Sequence, residues 1–254
     1  MLLGLDVGWY LPFSGVVVSA AISDARIACR QMEALSIIIG GLITILTAMW
    51  VEYLRRPSLS LAIEEPPLDR PAVTGRGTSR NLRLRLRNKS LPWILRWIQR
   101  AAALQCRGEI TFHHLDDGQD VLGRAMPVRW VNSPEPVAPQ IYDLQQHQPQ
   151  FYIVDFSRGS GESRIDVYPG EEEMLDVAVR FQGEADCYGW NNEVYGNNWR
   201  TPRWRLPRGR YLVKVVVTSS GQKCADVFRM VNDVEQLTDF RLIKASKVDR
   251  AKIH

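Results

Sequence analysis

Cysteine and histidine are scarce in this chain, with four of each among 254 residues, and neither is set at a metal-binding spacing. Cys29, Cys106, Cys187 and Cys224 form no Cys-x-x-Cys pair, and no His-x-x-x-His occurs. Zinc sites built from such pairs are therefore excluded. Only Cys106, Cys187 and Cys224 follow the first 54 residues. An odd set of three fits reduced thiols better than a disulfide framework. A Gly-x-Ser-x-Gly elbow, a phosphate-binding Gly-rich loop and a His-Glu-x-x-His helix are also missing, and with them the commonest signatures of hydrolase, nucleotide and metalloprotease chemistry. No catalytic residue, metal or cofactor is expected, and the chain reads as a non-enzyme.

Charge is missing in one place above all. From Ala34 to Val51 the chain carries no charged residue over 18 positions, which as a helix at about 1.5 Å per residue approaches the hydrocarbon thickness of a bilayer. Trp50 and Tyr53 stand at the far end of this run and Arg55 and Arg56 follow, the order of an interfacial aromatic belt and a cytoplasmic basic flank. The whole sequence is 24% charged, which excludes a polytopic membrane protein. The expectation is a single pass of the inner (cytoplasmic) membrane with the large domain on the cytoplasmic side. Arg26 and Arg30, on the other flank, argue the opposite way. Residues 1–31 read as a weak extension or an over-extended gene start, because Met32 would open the span cleanly. A weak first helix of a hairpin over Leu11 to Ile22 is the alternative, with Pro12 and Gly15 against it. Residues 32–56 are then the span and its basic flank. Ser36, Gly40, Thr44 and Ala48 recur every fourth residue and line one helix face, a spacing that lets two copies of a span approach closely and form a homodimer. Small residues common to any span give the same pattern.

Beyond Arg55 the period changes from helix to alternation. Leu59, Leu61 and Ile63 fall on one side of a strand, and Leu82, Leu84 and Leu86 alternate with Arg83, Arg85 and Arg87 in the next. The arginine row reads as a solvated strand face, since no aromatic platform interleaves it for nucleic acid. Two basic and four acidic residues lie in the first 54, so the remainder is about two charges more basic than the chain's net +4. That excess is diffuse and no nucleic-acid partner is expected; the lipid bilayer is. The segment Leu91 to Leu104, with Trp93, Trp97, Arg96 and Arg100, either lies on the membrane surface or closes the open end of a sheet. His113, His114, Asp116, Asp117 and Asp120 crowd a turn around Asp117-Gly118, and turn chemistry explains them better than a metal site, because adjacent strand residues point to opposite faces. A Pro- and Gln-rich connection covers Ser133 to Gln150. Leu175, Val177, Val179 and Phe181 are then expected on one face of a strand, and Tyr211, Val213, Val215 and Val217 on one face of another.

About eight strands with turns between them suggest a mainly β chain, with an N-terminal transmembrane helix followed by a β-sandwich with long loop insertions. Tyr168-Pro-Gly-Glu before one strand and Leu206-Pro-Arg-Gly-Arg-Tyr before another resemble the late strands of immunoglobulin-like and fibronectin-type modules, including bacterial adhesion-type domains. The resemblance spans roughly residues 57–243, and residues 244–254 read as a polar tail. One span followed by such a domain is similar to bacterial single-span membrane-anchored proteins. It implies an immunoglobulin-like fold and transfers no catalytic residue.

Between two good strands, residues 187–209 break the alternation. Tyr188, Trp190, Tyr195, Trp199 and Trp204 stand among Asn191, Asn192, Asn197 and Asn198, with Arg200, Arg203 and Arg205 at the end. Aromatic faces with amides are what a sugar, a small molecule or a protein hot spot meets. Alternatively the rings fold back into a small core that holds the loop down, leaving one or two accessible. The expected function is a membrane-anchored binding or scaffold protein presenting this loop to a protein or small-molecule partner in the cytoplasm. The other expectation is an envelope carbohydrate-binding module on the outer side.

Overall fold

A computed structural model describes residues 15–71, 77–95, 97–143, 148–154, 164–197 and 199–253. The chain divides into two units, one ending at Leu54 and one running from Arg55 to His254.

The first unit is dominated by one uninterrupted helix, α1 (Gly15–Arg55), of 41 residues. Its stretch Leu35–Arg55 has a mean hydropathy of 1.9 and no residue buried within the protein. Helix α1 is therefore long and apolar enough to cross a membrane. The expected boundary at Met32 is not a structural one, because the helix passes straight through it. A hairpin partner over Leu11 to Ile22 is likewise not formed by the described part of that run, which continues the same helix from Gly15.

The second unit is mainly β and sandwich-like, built from two antiparallel sheets. In chain order the strands are β1 (Leu59–Ile63), β2 (Leu68–Arg70), β3 (Ser79–Asn88), β4 (Ala103–His114), β5 (Met126–Pro127), β6 (Arg129–Trp130), β7 (Val137–Asp143) and β8 (Gln148–Val154). They continue with β9 (Ile165–Val167), β10 (Glu172–Phe181), β11 (Cys187–Gly189), β12 (Arg205–Leu206), β13 (Arg210–Ser219), β14 (Gln222–Val231) and β15 (Arg241–Lys244). One sheet runs β1-β3-β10-β11-β12, with β2 on β3 and β6 on β10; the other runs β15-β14-β13-β4-β5, with β9 on β4. The connection expected over Ser133 to Gln150 instead contributes β7, which pairs with β8 as a separate hairpin.

The alternating runs converge on the space between the sheets. Leu82, Leu84 and Leu86 of β3 meet Tyr211, Val213, Val215 and Val217 of β13 in one buried cluster with Phe112, Trp130 and Phe228, and Leu59, Leu61 and Ile63 pack on its margin. Burial of a large apolar side chain contributes about 1.5–3 kcal/mol, so this cluster is the main source of stability. At the start of β13 the Tyr211 hydroxyl donates to the Pro207 carbonyl, which also accepts from Asn232 Nδ2 at 3.2 Å. The ring, 1% exposed, thereby ties the preceding turn to the core.

Strand β10 departs from simple alternation. Asp176 pairs with Arg83 and Ala178 with Leu82, so Val177 is an extra residue in a β-bulge. Leu175, Val177 and Ala178 stay in the main core, while Val179 and Phe181 turn to the opposite face and join a second cluster. The four residues expected on one face are thus split two and two by the bulge.

Within the stretch 244–254, expected as a polar tail, Lys244 ends β15 and residues 245–253 are folded. A short helix, α2 (Lys247–Ala251), is closed at its start by a capping box between Ser246 and Asp249. Ala245 and Ile253 on either side of it are buried against Leu115, Leu212 and Val227.

Candidate functional site

The segment 187–205 folds back onto the outer face of the first sheet. Strand β11 carries it away from β10, two short 3-10 turns (Asn192–Asn197 and Pro202–Trp204) reverse it, and β12 returns to pair with β11. At Gly189 the strand runs close to the other sheet: a Cβ there would stand 2.6 Å from Met126 Sδ. Tyr188, Trp190, Val194 and Tyr195 then close over Val179 and Phe181, with Trp199 at the margin. Trp190 and Tyr195 meet edge to face at 5.9 Å, the geometry that the ring quadrupoles favour.

The candidate residues therefore separate by exposure. Tyr188, Trp190, Asn191, Tyr195 and Trp204 are buried. Asn192, Trp199 and Arg200 are half-exposed, and Arg203 is exposed. Asn198 lies outside the described residues. Of the nine candidates, five thus hold the segment in place, and Asn192, Trp199, Arg200 and Arg203 are the accessible ones. Trp199 has φ +64, a left-handed conformation that a bulky residue rarely adopts. Its amide donates to the Val194 carbonyl at 2.9 Å, which pins the chain in that geometry.

The cations around it are matched by carboxylates. Arg200 Nε lies 2.6 Å from Glu184 Oε1, and its guanidinium sits 3.9 Å above the Phe181 ring. Glu193 Oε2 accepts from Trp204 Nε1 at 2.9 Å and from Arg203 Nη1 at 3.4 Å. Arg205 Nε donates to Asp186 at 2.6 Å. Each of these three cations thus has a carboxylate neighbour, while exposed Arg124 lies 5.7 Å from the Trp204 ring centre.

Beneath the segment lies a charged cluster that sequence reasoning did not isolate. Asp176 accepts from Arg83 Nε at 2.8 Å and from Arg129 Nη1 at 2.9 Å, with all three side chains buried. Arg129 also donates to the Ser133 carbonyl at 3.0 Å and lies 5.8 Å from the Tyr195 ring centre. The solvated face expected for the arginine row thus needs correction. Arg83 is enclosed, Arg85 is half-exposed, and Arg87 is exposed. Alternation predicts which side a residue faces, not what covers that side. A lone Asp in the apolar run Met174 to Val179 was the available signal.

No family model, curated protein or solved structure matches this chain. Its chemistry is read from its own groups. Burial pushes the Cys106 thiol up to about 11 and raises Cys187 further still. Both are kept from the thiolate that nucleophilic chemistry needs. Burial also raises Cys224. His113 is engaged within its turn, with Nδ1 3.0 Å from the Gly118 carbonyl and Nε2 2.9 Å from Thr111 Oγ1. Among the described residues no three His, Cys, Asp or Glu side chains are grouped to hold a metal ion.

Elsewhere, a cavity of about 440 Å³ opens at one end of the sandwich beside Arg80 and Arg180. Arg80 is paired with Asp69 at 2.6 Å. Arg180 donates to the Glu184 and Glu235 carbonyls at 2.8 and 3.1 Å, so both guanidiniums hold backbone segments together. In the first unit, Ser36, Gly40, Thr44 and Ala48 lie four apart along α1, and the Thr44 hydroxyl donates to the Gly40 carbonyl at 2.8 Å.

Proposed function

We propose that the chain is a non-enzymatic, membrane-anchored binding or scaffold protein. A single span holds an immunoglobulin-like β-sandwich at the cytoplasmic face of the inner membrane. The observation that carries this reading is the stretch Leu35–Arg55, with mean hydropathy 1.9 and no residue buried, followed within four residues by the first strand of the sandwich. A helix apolar on all sides with nothing packed on it has a bilayer as its natural solvent.

The immunoglobulin-like assignment is supported by strand order. Strands β1, β3 and β10 correspond to A, B and E on one sheet, and β5, β4, β13 and β14 to C′, C, F and G on the other. Support also comes from Tyr211, which sits where the tyrosine corner of such domains lies and makes its hydrogen bond to a carbonyl four residues upstream. Tyr211→Phe is expected to lower stability by about 1–2 kcal/mol, read as a shift in the denaturation midpoint of the detergent-solubilised protein. An unchanged midpoint would remove the corner from the argument.

The partner surface in this reading is the rim of the 187–205 segment, centred on Trp199. Orientation tests the whole proposal. A fluorescent protein and, separately, a phosphatase active only outside the cytoplasm are fused to His254. Fluorescence without phosphatase activity is the expected result. Phosphatase activity without fluorescence would overturn the cytoplasmic placement and turn the search for ligands to envelope glycans.

A further inference from the structure

Among the described residues of the second unit six large apolar side chains are exposed, and four of them lie at the end where the chain enters it, the others being Leu104 and Val248. Trp93 is 78% exposed, Ile94 66%, Trp97 71% and Tyr168 53%. Isolated exposed apolar residues are ordinary, but two tryptophans, an isoleucine and a tyrosine at one end of a domain mark a surface with an occupant. The turn that carries the tryptophans is firmly held. Leu95 donates to the Pro92 carbonyl and Ile98 to the Leu95 carbonyl, both at 2.9 Å, and the Ile98 side chain is buried. The turn thus packs one apolar residue inward while its rings stand out.

Hydrogen bonds fix where this turn lies. The Arg55 carbonyl accepts from the Ala101 amide at 2.6 Å, and the Arg56 carbonyl accepts from Arg100 Nη1 at 2.8 Å. Buried Asn88 joins the neighbouring segments. Its Oδ1 accepts from the Ser58 amide at 3.0 Å, and its Nδ2 donates to the carbonyls of Ala101 and Val167 at 3.0 and 3.1 Å. Tyr168 follows Val167 directly, and Lys89 follows Asn88. The exposed rings therefore share one end of the domain with Arg55, Arg56 and Lys89, all exposed, and with the residue at which the apolar stretch Leu35–Arg55 finishes.

We propose that this end of the domain is a lipid-contacting surface, with Trp93, Ile94, Trp97 and Tyr168 seated at the headgroup level and Arg55, Arg56 and Lys89 against anionic headgroups. The proposal rests on the membrane-span reading, because the bilayer is chosen as occupant by the covalent proximity of the apolar stretch. Tryptophan and tyrosine partition to the membrane interface, where the ring is sheltered and its N–H or O–H stays hydrated. Cations beside them gain from the negative surface potential of anionic lipid. The domain is then held to the membrane at two places, the helix and this surface.

The full chain, reconstituted in phosphatidylcholine vesicles with a phosphatidylglycerol component, provides the test. Tryptophan emission is compared between ordinary lipid and lipid brominated near the headgroup end of its acyl chains, for the natural protein, Trp93→Phe and Trp97→Phe. Each substitution is expected to remove part of the bromine-quenchable emission, and bromines near the chain ends are expected to quench that part less. Equal quenchable emission in all three proteins would overturn the proposal. So would a blue shift of these two tryptophans that grows with protein-to-lipid ratio without bromine quenching, which assigns the surface to a second copy of the chain. Alkaline carbonate extraction of the same vesicles separates the two readings. Release of the chain would defeat the span itself, whereas retention without quenching would defeat only the lipid-contacting surface.

Discussion

Asp176→Ala is expected to destabilise the sandwich by about 3–5 kcal/mol, the cost of removing one partner from a buried ion pair. The carboxylate bridges Arg83 and Arg129 at 2.8 and 2.9 Å, and its side chain is 1% exposed. Without it, the buried guanidiniums of Arg83 and Arg129 lose this counter-charge and have little access to water. Arg129 keeps its bond to the Ser133 carbonyl and its position near the Tyr195 ring, neither of which neutralises it. Asp176→Asn, which preserves shape and loses charge, is expected to approach the same cost. Arg85→Ala is the control: its bond to Glu172 at 3.1 Å joins side chains 35% and 33% exposed, and such a pair contributes no more than about 1 kcal/mol. Denaturant midpoints of the three variants in detergent provide the comparison. If Asp176→Ala costs no more than Arg85→Ala, the carboxylate is not bridging the arginines and the segment is held by its aromatic rings alone.

Much of the main core is legible in the sequence because period-two alternation is a local property. The leucines of β3 and the Tyr211 to Val217 set of β13 occupy the positions their spacing predicts. Strand β10 shows where that logic stops. One extra residue at Val177 reverses the facing of everything after it, and neither Val177 nor its neighbours advertises a bulge. The burial of Arg83 is hidden for a related reason, since the carboxylate that pairs with it, Asp176, lies on a strand 93 residues further on. The 187–205 segment has no period to read. Each ring is placed by what lies beneath it, so the sequence offers its chemistry without its exposure. Conversely, Trp93 and Trp97 looked equally suited to closing a sheet or meeting a membrane. Only the inward turn of Ile98 and the bonds to Arg55 and Arg56 separate them from the core.

Trp190→Ala is expected to cost about 3–5 kcal/mol, as for other fully buried large aromatic residues, and Trp199 gives the contrast that makes this informative. Trp190 is 1% exposed and packs edge-on against Tyr195 in a cluster that also contains Val179 and Phe181. Its removal leaves a cavity in the apolar layer that packs on Val179 and Phe181 of β10. Any loss of partner binding by this variant would therefore report loss of the layer rather than loss of a contact. Trp199 is half-exposed and has φ +64. Glycine adopts that φ freely, whereas alanine retains a conformational cost of about 1 kcal/mol. Trp199→Gly is accordingly expected to be no less stable than Trp199→Ala despite losing the same ring, and both are expected to be milder than Trp190→Ala. Thermal midpoints in detergent would rank the three. If both Trp199 variants are as unstable as Trp190→Ala, the Trp199 ring is a structural member of the cluster. The accessible surface would then shrink to Asn192, Arg200 and Arg203, too small and too fully ion-paired to serve as the partner-binding rim.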